Sequence, residues 1–166
     1  MSNRPQSEKM IVSEADVTSR CRAVSKPGIY MIFPRANRVV HHLPNFNGVE
    51  VQVLATPRQG ARFVEHELLV APGGGTSKPR DEEFEQFFYI QEGEIVLRVE
   101  GGKAHKKPRD AFCWLPPHLP HQFSNKSKKL ARLIYIRRRY EEMPGTPVPG
   151  SLLSHEQDVP AYPVND

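Results

Sequence analysis

Long apolar runs, paired cysteines and helical periodicity are scarce in this chain, and each scarcity excludes a class of protein. No stretch of the 166 residues is apolar for long enough to span a bilayer, and the polar, mixed-charge first twenty residues offer no signal-peptide core. Membrane attachment is therefore not expected. The only cysteines are Cys21, in a polar region, and Cys113, inside an apolar run. A disulfide framework needs more, so the expected setting is a reducing compartment and a soluble, cytoplasmic protein. Charge of one sign is also lacking: 23 basic against 19 acidic residues leave +4, dispersed along the chain. The densest basic spots are Lys128-Lys129 and Arg137-Arg138-Arg139, read as a solvated face or as partners of nearby glutamates. That is too small a field, with no aromatic platform, for nucleic-acid binding.

What is present is β-strand pattern punctuated by glycine and proline. Val49, Val51 and Val53 alternate with Glu50 and Gln52. A long strand is expected over 61–70, with Val64, His66, Leu68 and Val70 on one face. Ile95, Leu97 and Val99 alternate with Val96 and Arg98, and Glu92-Gly93 before them reads as a tight turn needing positive φ. Shorter strands are expected over 29–33, 39–43 and 130–136, and a turn over 44–48. Residues 73–75 (Gly-Gly-Gly) read as a bend; with no helix following, they are not a phosphate loop. No helix of useful length is expected between Gly28 and Arg139. The fold class is therefore all-β, a small antiparallel barrel. Residues 1–25 read as a disordered tail, 26–142 as the barrel, and 143–166, with five prolines, as an extended arm or linker without regular elements.

Residues 73–125 resemble the two-motif layout of a cupin, a jelly-roll barrel. More specifically, Leu-Ala-Thr-Pro at 54–57, Gly-Ala-Arg-Phe-Val at 60–64, Gly73-Gly74, the run 85–93 ending at Gly93, Leu-Pro-Pro at 115–117 and Arg-Arg-Tyr at 138–140 are similar to the N-terminal half of the (S)-ureidoglycine aminohydrolase family. The resemblance covers about 27–145. It implies a single cupin barrel. In that family a second cupin holds the catalytic manganese, which acts as Lewis acid and template while ammonia is expelled and ureidoglycolate forms. The matching residues, 27–145, correspond to the first cupin, so the resemblance implies the half that does not carry the metal. No cofactor is expected of this chain alone; manganese is expected only if it has its own site or a second half supplies one.

The barrel's own candidates follow from the cupin pattern. A metal-binding cupin offers His-x-His and a Glu from its first motif and a His from its second. Here Gln86 takes the Glu position, the His-x-His positions fall among Pro79, Arg80, Asp81 and Glu82, and His121 keeps the second-motif place. Gln86, Phe88 and Ile90 share one face, so Gln86 and His121 can meet inside, with His66 completing a polar cluster. The candidate pocket is therefore His121, Gln86 and His66, with no metal; the alternative is a metal site of His121, Gln86 and Glu82. Against both stand plainer readings: a solvated loop at Asp81, Glu82 and Glu83, and buried, hydrogen-bonded histidines at 66 and 121. His41 and His42 point to opposite faces of one strand, His118 faces solvent from a Pro-rich turn, and Cys113 is a small core residue. The expected partners are a second copy of the chain or another cupin domain, with a small polar metabolite as the alternative occupant of the barrel.

Overall fold

The computed structural model describes residues 24–26, 29–79, 82–99 and 102–161. The tail expected over 1–25 lies outside them up to residue 23, as does Cys21. The chain divides into two compact units at Arg38. In the first, β1 (Val24–Lys26) pairs antiparallel with β2 (Tyr30–Ile32). The strand expected over 29–33 does form, but its partner is β1 rather than a barrel strand.

The second unit is the barrel. Its strands are β3 (Val40–His41), β4 (Phe46–Ala55), β5 (Val64–Thr76), β6 (Phe84–Glu92), β7 (Glu94–Val99), β8 (Ala104–Pro108), β9 (Ala111–Leu115), β10 (His121–Ser124), β11 (Ala131–Arg139) and β12 (Leu152–His155). They form one antiparallel sheet in the order β12-β9-β6-β11-β5-β10-β7-β8, with β4 also on β5 and β3 on β4. Among the described residues the only helical elements are three-residue 3-10 turns. The all-β expectation holds.

β5 is the strand on which the sheet curls. Its first half, Val64 to Val70, lies between β11 and β4; its far end meets β10 through Gly75 opposite Ser124. The glycines at 73–75, read from sequence as a bend, continue the strand instead. They permit close approach: a Cβ on Gly74 would sit 2.4 Å from the Gly48 carbonyl oxygen, and one on Gly75 2.2 Å from that of Phe123. The turn expected over 44–48 is shorter, because β4 already begins at Phe46. Gly48, at φ 61°, sits in a register shift between Asn47 and Val49.

Register stacks the inward side chains in rows. Val51, Leu68, Leu133 and Ile90 are paired across four strands, and all are sealed from solvent. Each such side chain contributes about 1.5–3 kcal/mol by burial. Ile95 and Leu97 close the core from the β7 side, and the hairpin before them turns at Gly93 (φ 75°). Asn125, fully buried, ties the end of β10 down: its amide donates to the carbonyls of Val70 (2.9 Å) and Lys129 (2.7 Å).

The C-terminal segment contains a regular element after all. β12 pairs with β9, Leu152 opposite Trp114 through His155 opposite Ala111. Its end is pinned by the Tyr89 hydroxyl, which donates to Glu156 Oε1 at 2.7 Å. The prolines on either side delimit this four-residue strand rather than forbid it, because an edge strand needs ladder bonds on one side only.

Candidate functional site

The apolar rows give way to polar ones toward one end of the barrel. Next to the Val51–Leu68–Leu133–Ile90 row, register places Val53, His66, Tyr135, Phe88 and Cys113 side by side. One pair further, Val64, Arg137, Gln86 and Leu115 follow. Alternation alone therefore brings His66, Tyr135, Gln86 and Arg137 to the same end of the same inner face. His121 comes from β10, opposite Val99 of β7.

All three residues of the expected pocket are buried: His66 at 4%, Gln86 at 2% and His121 at 1% exposure. Tyr135 organises them. Its hydroxyl donates to Gln86 Oε1 at 2.7 Å. Its ring stacks on Phe88 (centroids 4.7 Å apart, 20° between planes) and lies over His66 (5.7 Å, 26°). Phe88 in turn meets His121 edge to face at 6.1 Å. His121 Nδ1 lies 2.9 Å from the Leu119 carbonyl. A carbonyl only accepts, so Nδ1 carries the proton and the ring is fixed in orientation.

Glu82 is placed differently from its reading as a solvated loop residue. Its carboxylate takes a 3.1 Å ion pair from Arg137, with both side chains mostly covered. The Arg137 guanidinium also lies over the rings of Phe84 (5.6 Å) and Tyr135 (5.9 Å). Tyr135 and Arg137 are the residues the sequence reading missed. The available signal was parity: both continue the inward series of Leu133 on β11. Asp81 lies outside the described residues. His41, His42 and His118 are exposed. Cys113 is fully buried, and burial pushes its thiol up to about 11, with Lys107 opposing weakly.

Two of the candidate donors are already engaged. Gln86 Oε1 accepts from Tyr135 and the Glu82 carboxylate faces a guanidinium, whereas the Nδ1–H bond of His121 to Leu119 puts that ring's lone pair on Nε2. Among the described residues no three His, Cys, Asp or Glu side chains converge as metal ligands.

The fold and the inward polar end define a single cupin jelly roll, and residues 66–137 match the Cupin domain family. The more particular likeness is to (S)-ureidoglycine aminohydrolase. The chain is 26% identical to the Escherichia coli (strain K12) enzyme over 125 residues, covering 75% of this chain and 48% of that protein. It is 26% identical over 130 residues to a probable (S)-ureidoglycine aminohydrolase of Oryza sativa subsp. japonica, covering 78% of this chain and 41% of that one. The chain thus spans about half the length of the curated relatives it matches. Among solved structures, protein Ylba from E. coli superimposes with a TM-score of 0.80 at 24% identity, over 89% of this chain and 60% of that one. A putative glyoxylate-induced protein from Pseudomonas aeruginosa gives 0.68 at 29%, over 74% and 46%. No helix among the described residues is long and apolar enough to cross a membrane.

Proposed function

We propose that this barrel is a structural cupin corresponding to the N-terminal half of ureidoglycine aminohydrolase, and that it serves the conversion of ureidoglycine to ureidoglycolate and ammonia only together with a metal-bearing cupin. One observation carries this reading. At the polar end of the barrel two candidate donors, Gln86 and Glu82, are engaged by Tyr135 and Arg137. Such pairs satisfy buried polar groups and fix the end of the barrel, and they place the Glu82 carboxylate against a cation. Similarity to about half of each curated relative supports the same assignment. The metal-bearing partner is another cupin domain, and any manganese belongs to that catalytic half; a second copy of the chain would supply packing only.

The test is ammonia release from ureidoglycine by the purified chain with added manganese. Release at the uncatalysed rate is the expected result. Release that rises in proportion to chain concentration would overturn the proposal and make the barrel a metalloenzyme in its own right.

A further inference from the structure

A groove lies outside the barrel, on the opposite face of the sheet from His121. Along β10, Phe123 points inward, so Gln122 and Ser124 point outward; along β7, Leu97 points inward, so Val96 and Arg98 point outward. Register lines up Val96, Ser124, Gly75 and Asn47 across four strands, with Arg98 beside Gln122 in the adjoining row. Gly75 brings no side chain to the middle of the first row, and a groove of about 350 Å³ forms over it. That volume suits a small metabolite.

The electrostatics of this groove are one-sided. Arg98 stands at one wall and Lys126 at another, while Ser77, Asn47, Gln122 and Ser124 supply neutral polar groups. No aspartate or glutamate among the described residues lines it. Among the described residues neither Arg98 nor Lys126 has a carboxylate within ion-pair distance. Most other strand arginines are spent differently: Arg132, Arg137, Arg138 and Arg139 each meet a glutamate. Gln122 Nε2 is held by the Thr76 carbonyl at 2.7 Å, which fixes that wall. Two cations over a fixed polar floor, with no acid among its described lining residues, create a local positive potential that attracts and orients an anion.

The geometry points to a binding site for a small dianion, a phosphate monoester or a dicarboxylate, held between Arg98 and Lys126 above Gly75. This site is independent of the barrel interior and of any metal.

The experiment is an amide NMR titration of the full chain with inorganic phosphate and, separately, with malonate, at constant ionic strength. Saturable shifts centred on Gly73, Gly75 and Ser124 are expected from at least one probe. Phosphate alone would assign a phosphate ester, malonate alone a dicarboxylate, and both the shared dianion chemistry. Arg98→Gln and Lys126→Gln should each weaken binding by about tenfold or more, as loss of one charge-assisted contact requires. Lys106→Gln, whose ammonium already pairs with Glu94 at 2.8 Å, should leave it unchanged. Shifts that stay linear with concentration, or equal weakening by all three substitutions, would overturn the site and leave only general charge attraction.

Discussion

Tyr135 and Gln86, 49 residues apart in sequence, meet inside the barrel through a 2.7 Å hydrogen bond sealed from solvent. They occupy neighbouring inward positions on adjacent strands, β11 and β6. Gln86 stands where the cupin pattern puts a glutamate ligand. A neutral amide there, bonded to a phenol, turns a ligand position into an internal contact.

Removing that contact should show in stability. Tyr135→Phe keeps the ring packing against Phe88 and strands a buried amide oxygen, which costs about 1–3 kcal/mol. Gln86→Leu in the Tyr135→Phe background should cost less than the two single losses added, because both partners are then apolar. Urea unfolding of the four-member cycle measures this. Strict additivity would mean that the bond does not couple the two residues.

The glycines of β5 should differ sharply from one another. Gly75→Ala places a methyl 2.2 Å from the Phe123 carbonyl oxygen at φ 151°, so strands β5 and β10 must separate. Gly73→Ala, at φ 77° with open space around it, meets only backbone strain. Losses of about 3 kcal/mol or more and about 1 kcal/mol, respectively, are expected. Equal melting temperatures for the two variants would contradict the close approach assigned to Gly75.

Tyr89 should titrate late. The hydrogen bond to Glu156 is the largest cause that pushes its hydroxyl up to about 12 from 10, followed by burial, the charges of Glu156 and Asp110, and the hydrogen bond to Asp110. The folded state favours the protonated phenol, so its stabilising effect is complete below pH 10 and is lost as pH rises from 10 through 12. Glu156→Gln should bring the titration back toward 10, read from the tyrosine Cζ carbon shift. An unmoved titration would show that β12 and its following turn do not dock on Tyr89.

Much of the barrel is legible in alternation. Val49 and Val51, Ile95 and Leu97, and Gln86, Phe88 and Ile90 all face inward as their period requires. His66, Gln86 and His121 are brought to the interior for the same reason. What alternation does not carry is pairing over distance. Arg137 reads as one cation in a basic run and Glu82 as one acid in a charged loop; only the β6–β11 register joins them across 55 residues. Tyr135 gives no signal of its role, because an aromatic at an inward position says nothing of where its hydroxyl points. β12 is too short to show a period, and its existence depends on β9 offering an open edge. Glycines have no face, so the run at 73–75 hides the curl of β5.

Gln86 and Glu82, the candidate donors at the polar end of this barrel, are paired with Tyr135 and Arg137. The most direct test is metal content after incubation with excess manganese and removal of free ion, counted by mass spectrometry against chain concentration. The account predicts far less than one ion per chain, unchanged by His121→Ala. One ion per chain, lost on that substitution, would contradict it and place a metal centre at His121.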